Sequence, residues 1–201
     1  EISACLVGSE MCIRDSKRNG SITKVTGKGE KDMNQNYNRL YMPQFITGCG
    51  SIEFFATLGK KRIGVVRGGR SLNDQLKAKI EKLAEESGAE LRYIAQIRNE
   101  PYIEDIFRCM DEVREFEPDM ILAIGGGSVL DTAKAIHLFY ENPEMSFEEA
   151  TIPYALPALG KKAVHVAVPT TSGTGSETTS CAVFIDPETK TKKLLLDNTI
   201  I

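Results

Sequence analysis

No run of apolar residues in this sequence approaches the ~20 that a membrane helix needs, so a helical membrane span is excluded. Charge of neither sign dominates: 25 Lys and Arg stand against 28 Asp and Glu, for a net charge of -3. A nucleic-acid binder wants a basic face, and this balance makes no electrostatic case for one. The amino terminus, Glu1 to Val7, has no basic stretch ahead of its short apolar run and makes a poor signal peptide. Cysteine is sparse and scattered. Cys5, Cys12, Cys49, Cys109 and Cys181 are odd in number and form no C-x-x-C pair, so neither a disulfide framework nor a zinc knuckle is indicated, and a reducing cytoplasm is the expected setting. There is no internal repeat and no low-complexity tract. What remains is an ordinary globular composition, 41% hydrophobic over 201 residues, enough to build the core of one good-sized domain.

Residues 1–32 read differently from the rest. They show no sustained period and end in a polar, Gly/Lys-rich run from Asn19 to Asp32. CLVGSEMCIRDS (Cys5 to Ser16) resembles translated adapter sequence, so the natural protein is expected to start at Met33; a disordered leader is the alternative. From Met33, strand-like and helix-like segments alternate. Gln44–Thr47 is a short strand candidate, Ile52–Leu58 a brief helix and Arg62–Val66 a buried strand. Leu72, Leu76, Ile80 and Leu83 share one helix face, with Gly88 closing that helix. Leu91, Tyr93, Ala95 and Ile97 alternate as a strand. Ile103, Ile106, Phe107, Met110 and Val113 line a second helix. Met120–Ile124 is a continuous apolar strand, Val129–Tyr140 a third helix, Glu141–Lys162 a long Pro-containing loop and Ala163–Val168 another buried strand. Ala182–Ile185 and Lys193–Leu196 pair as a hairpin around Asp186-Pro187. Strands separated by amphipathic helices predict an α/β fold, a Rossmann-like doubly wound and mainly parallel sheet. In such sheets ligands sit beyond the carboxyl ends of the strands, which places two loops on the functional edge.

The first loop follows the strand in ILAIGGGSVLDTAKAI (Ile121 to Ile136). Glycines without Cβ let a phosphate approach the backbone, and the helix start offers N–H groups and the positive end of its dipole. Ser128 and Asp131 also spell a capping box, S-x-x-D, which fixes a helix start with or without a ligand. The motif is neither G-x-G-x-x-G nor a Walker loop. The second loop, VPTTSGTGSETT (Val168 to Thr179), holds five threonines, two serines and two glycines. Its hydroxyls both donate and accept and suit sugar and phosphate oxygens.

GGGSVLDTAKAI followed by PTTSGTGSE resembles the iron-containing (group III) alcohol dehydrogenases, and the likeness extends from about Asn36 through YMPQFITGCGS and NEP (Asn99 to Pro101) to the carboxyl end. The resemblance implies a two-domain subunit. Residues 33–201 match its dinucleotide-binding part; its helical domain holds a divalent metal, iron or zinc, through one Asp and three His that are expected beyond Ile201. By matching positions, Gly126, Gly127 and Ser128 are expected at the pyrophosphate, with Asp131 in the same turn. Thr170, Thr171 and Thr174 are expected along the adenine and nicotinamide-ribose region, and Cys181 and Lys192 near the nicotinamide ribose. His137 and His165 fall on no ligand position and are expected to be packing or surface residues, so no metal is expected in this chain. Many relatives carry an Asp after the strand at Arg62–Val66, where it holds the ribose 2′-hydroxyl. Here the sequence is Arg67-Gly68-Gly69-Arg70. With the acid gone and the arginines Arg67 and Arg70 gained, this stretch, with Gly68 and Gly69, is expected to admit a 2′-phosphate, favouring NADP over NAD. The family reaction is reversible hydride transfer between an alcohol and an aldehyde or ketone, with the metal as Lewis acid. No side chain of the matched motifs offers a base, so residues 1–201 are expected to bind cofactor without turnover. Glycerol dehydrogenase-like or dehydroquinate synthase-like enzymes, and a non-catalytic nucleotide-binding module, are the alternatives. Family members are often dimers or larger.

Overall fold

The computed structural model describes the backbone of residues 11–13, and residues 42–69, 72–98 and 100–201. Its strands are β1 (Met11–Ile13), β2 (Gln44–Ile46), β3 (Arg62–Gly68), β4 (Glu90–Ile97), β5 (Met120–Gly125), β6 (Val164–Pro169), β7 (Cys181–Ile185) and β8 (Lys192–Leu196). Its α-helices are α1 (Asp74–Glu86), α2 (Ile103–Arg108), α3 (Met110–Phe116), α4 (Gly127–Glu141) and α5 (Phe147–Ala150), joined by 3-10 turns at Ser51–Leu58 and Asn198–Ile200.

Six strands form one sheet in the order β2-β1-β6-β5-β3-β4, and β7 and β8 form a separate hairpin. Strands β3 to β6 run parallel, while β1 lies antiparallel between β2 and β6. Met11–Ile13 form a strand inside the segment that resembles adapter sequence. The chain leaves β3 for β4 on one side and returns to β5 on the other, so the winding reverses between β3 and β5. The crevice that such a reversal opens lies at the carboxyl ends of those two strands.

The sheet is covered on both faces. One face packs α1 and the Ser51–Leu58 turn through Phe55, Leu76 and Ile80 against Ile63, Val65, Leu122 and Ile124. The other packs α2 to α5 and the hairpin through Ile106, Leu130, Phe139, Phe147 and Phe184 against Val66, Ile121 and Ala123. Burial on both sides explains why β5 reads as an unbroken apolar run.

Three expectations need correction. The alternation over Leu91, Tyr93, Ala95 and Ile97 does not define one face. Val65 lies opposite Tyr93 but Val66 lies opposite Ala95, so Ile94 is the extra residue of a bulge, which reverses the side-chain sense beyond it. Leu91 and Tyr93 pack toward α1, and Ile94 and Ile97 sit in the opposite core. The single helix expected over 103–113 is broken at Cys109. The Cys109 thiol donates to the Ile106 carbonyl at 3.1 Å, and burial pushes its pKa up to about 12. The loop expected over 141–162 contains α5, started by a true capping box in which Ser146 Oγ accepts from Glu149 N–H and the Glu149 carboxylate accepts from Ser146 N–H.

At the end of α4, the carboxylate of Glu141 anchors the entry to β6. Its Oε1 accepts from the N–H groups of Gly160, Lys162 and Ala163 at 3.1, 2.9 and 3.1 Å, and Oε2 from that of Lys161 at 3.1 Å. His137 Nε2 lies 3.2 Å from Oε1 and 3.0 Å from the Ala163 carbonyl. Both neighbours are acceptors, so Nε2 carries the hydrogen. His165 stacks on His137 with ring centroids 6.1 Å apart. Both histidines are buried; neither is a surface residue.

Candidate functional site: a dinucleotide cleft at the sheet edge

Strand β5 ends at Gly125, and α4 begins two residues later. A Cβ on Gly125 would stand 2.4–2.9 Å from the Val129 side chain, so only glycine lets the chain turn this tightly into a helix. The N-cap is Gly126, and no side chain caps the helix. The Ser128–Asp131 capping box therefore does not form. Ser128 sits one position inside α4, its carbonyl accepting from Thr132 Oγ1 at 2.7 Å, and Asp131 turns to the hairpin. The open helix start keeps its first-turn N–H groups and dipole for an anion.

The hydroxyl loop lies against this turn. Thr170 N–H donates to the Gly125 carbonyl at 2.9 Å, joining the two loops at their roots. A Cβ on Gly126 would meet Thr171 Oγ1 at 2.8 Å, and one on Gly127 would meet Ser176 Oγ at 3.1 Å and Thr174 Cβ at 3.6 Å. Glycine at both positions leaves room for a guest beside the hydroxyls. In front of them opens a cleft of about 850 Å³. Gly126, Gly127, Ser128 and Thr171 form one wall, and Gly68 and Gly69 at the end of β3 form another. Gln96, Ile97 and Arg98 at the end of β4 complete it. No carboxylate lines it among the described residues. Arg67 does not line it either: its guanidinium lies 5.6 Å from the Tyr93 ring centroid and donates to Gln96 Oε1 at 3.3 Å. Arg70 lies outside the described residues.

A smaller cavity of about 200 Å³ continues past Gly127 and Ser128 toward the hairpin, where Asp131, Val183, Ile185 and Lys192 line it with Glu100 and Pro101. Asp131 is 8% exposed. Its Oδ2 accepts from Val183 N–H at 3.0 Å, and its buried Oδ1 has no hydrogen-bond partner among the described residues. Burial raises the Asp131 pKa against the lowering effects of Val183 N–H, Lys134 and Ser176. A buried carboxylate oxygen at a cavity wall suits a hydroxyl-bearing guest. Thr170, Thr174 and Cys181 line neither cavity. Cys181 pairs with Leu196 at one end of the hairpin, while Lys192 pairs with Ile185 at the other.

Lys134, which carried no role in the sequence reading, holds these parts together. It is 1% exposed, and its Nζ donates to the carbonyls of Thr179 and Cys181 at 2.6 and 3.1 Å. The hydroxyl loop is thereby tied to the second turn of α4. Lys134→Met keeps the volume of the stem but removes the Nζ donor of the Thr179 carbonyl and leaves the Cys181 carbonyl only the Thr179 hydroxyl at 3.3 Å, an expected loss of about 2–3 kcal/mol that a urea melt reads directly. Gln96 and Arg98 also escaped the sequence reading, although they immediately precede NEP; only the pairing of β3 with β4 brings them to the glycines. Among the described residues no group of three or more His, Cys, Asp or Glu side chains is placed to hold a metal ion, so these residues do not fit one and no step is assigned to it.

Residues 43–201 match the family described as iron-containing alcohol dehydrogenase. An NADPH-dependent butanol dehydrogenase of Clostridium saccharobutylicum is 39% identical over 151 residues, covering 75% of this chain and 39% of that protein. An alcohol dehydrogenase of Thermococcus barophilus is 35% identical over 154 residues, 70% of this chain and 39% of that protein. The solved iron-containing alcohol dehydrogenase of Thermococcus thioreducens superposes with a TM-score of 0.66 at 32% identity, over 75% of this chain and 41% of that one. The chain thus spans about two fifths of the length of these relatives. With a glycine turn and a hydroxyl loop side by side at the switch point of a parallel sheet, the chain belongs to the iron-containing alcohol dehydrogenase family.

Proposed function

We propose that this chain is the cofactor-holding part of an NAD(P)-dependent alcohol dehydrogenase acting on small alcohols and aldehydes. The observation that carries the reading is that the two loops meet on one wall of the 850 Å³ cleft, where a Cβ at Gly126 would stand 2.8 Å from Thr171 Oγ1. When bound, the nicotinamide exchanges a hydride with an alcohol or its carbonyl product. The N–H groups of Gly127 and Ser128 receive the pyrophosphate at the helix start. Gly126 leaves the space through which it approaches. Thr171 and Thr174 supply hydroxyls to the sugars, and Thr170 positions that loop. Asp131 and Lys192 face the nicotinamide ribose from the smaller cavity, with Cys181 on the adjoining hairpin. Gly68 and Gly69 border the adenosine ribose.

A preference for NADP(H) is supported by the lack of a carboxylate along the cleft among the described residues, which leaves a 2′-hydroxyl without its usual acceptor. The name of the clostridial relative, NADPH-dependent butanol dehydrogenase, points the same way. A divalent metal, iron or zinc, is proposed for the complete catalytic unit, which works in the cytoplasm as a homodimer or larger. No helix among the described residues is long and apolar enough to cross a membrane.

Titrating residues 1–201 with NADPH and with NADH, followed by nicotinamide fluorescence, tests the reading. Saturable binding is expected, with NADPH tighter by about tenfold. No binding of either cofactor overturns the site, and tighter NADH overturns the preference. Butanol oxidation by the same preparation is expected to be nil; measurable turnover would show that this chain carries a catalytic group of its own.

A further inference from the structure

We propose that Arg98, just past the end of β4, with Gln96 beside it on that strand, reads the 2′-phosphate of NADP(H), so that cofactor choice is made from the end of β4. The proposal rests on the reading of the cleft as a dinucleotide site. Gly69 N–H donates to the Ile97 carbonyl at 3.1 Å, which fixes the end of β3 directly beside Arg98. A Cβ at Gly69 would stand 3.6 Å from Arg98 Cγ and 3.9 Å from Gln96 Nε2. Both side chains therefore converge above a position where glycine leaves the floor open.

The chemistry of this corner is that of donors. Arg67 donates to Gln96 Oε1 at 3.3 Å, which engages the amide oxygen and leaves the amide N–H₂ as the group near Gly69. Arg67 is thus a positioning residue, acting through Gln96. Arg98 is exposed, lines the cleft and has no carboxylate partner among the described residues. A guanidinium and an amide N–H₂, with no acid along the same wall, suit a phosphate monoester better than a ribose hydroxyl, because the guanidinium fork matches phosphate oxygens and has no acceptor for a hydroxyl hydrogen.

The test compares wild type with Arg98→Met, which keeps an apolar stem against Gly69, and with Gln96→Glu, which adds an acid. The probes are NADPH, NADH, adenosine 2′,5′-bisphosphate and adenosine 5′-monophosphate, measured by calorimetry. Arg98→Met is expected to weaken NADPH and the bisphosphate by about 10- to 100-fold, while NADH and the monophosphate change less than about twofold. Gln96→Glu is expected to reverse the preference toward NADH. Unchanged NADPH binding in Arg98→Met overturns the proposal while leaving the dinucleotide site intact, as does an equal loss of both cofactors. If wild type binds neither NADPH nor NADH, the cleft assignment fails, and this proposal fails with it.

Discussion

Replacing Glu141 by Gln is expected to cost this chain about 2–4 kcal/mol of stability at pH 7, although Glu141 lies far along α4 from the cleft. The side chain is 2% exposed, and four backbone N–H groups plus His137 Nε2 point at its two oxygens. A glutamine keeps one acceptor and turns an N–H₂ toward donors, leaving at least one N–H facing another donor. Burial by itself would raise the Glu141 pKa. The hydrogen bonds from His137, Ala163, Lys161 and Lys162 outweigh burial and hold it at about 2, below its usual 4.5. Because the folded value is depressed, the carboxylate's contribution is complete above about pH 4.5 and disappears as pH falls toward 2; by linkage it amounts to roughly 3 kcal/mol. Urea midpoints of wild type and Glu141→Gln should therefore differ widely at pH 7 and converge near pH 2.5. A gap that stays constant across that range would mean that the charge on Glu141 is not what holds the entry to β6.

Substitutions at the neighbouring glycines of the β5 turn are expected to separate stability from binding. At Gly125 an added Cβ lies within 2.9 Å of three Val129 side-chain atoms. Val129 is buried in the first turn of α4 and cannot yield without moving the helix. Gly125→Ala should cost about 3 kcal/mol. At Gly126 the near atoms belong to Thr171, an exposed side chain that can rotate away, and the Gly126 φ of -81° is ordinary for any residue. Gly126→Val, at the N-cap, should cost only about 1 kcal/mol while filling the approach to the helix start, and NADPH affinity should fall by about 100-fold or more. Equal NADPH binding by Gly126→Val and wild type would mean that the pyrophosphate does not sit at this turn. A loss of folding in Gly126→Val, with none in Gly125→Ala, would mean that the two glycines have been assigned the wrong roles.

The alternation of apolar strands and amphipathic helices was legible along the chain because it depends on local periodicity. β5 and α4 were read to within a few residues, and so was the hairpin around Asp186-Pro187. Misreadings arose where one residue answers to a partner distant in sequence. The bulge at Ile94 is set by the pairing with β3, and no pattern within LRYIAQI announces it. Ser128 and Asp131 have the spacing of a capping box, yet Asp131 instead receives the N–H of Val183, 52 residues away. Lys134 looks like a solvated helix residue until the hydroxyl loop folds over it.

The sequence by itself determined the doubly wound sheet, the two loops at its carboxyl edge and the family they resemble, because strand and helix periods and glycine turns are local properties of the chain. Only the tertiary structure decided that Gly126 meets Thr171, that Arg98 and Gln96 flank Gly69 while Arg67 turns to Tyr93, and that Glu141 collects the N–H groups before β6. Those contacts join segments separated by tens of residues, and strand order and register alone bring them within reach of one another.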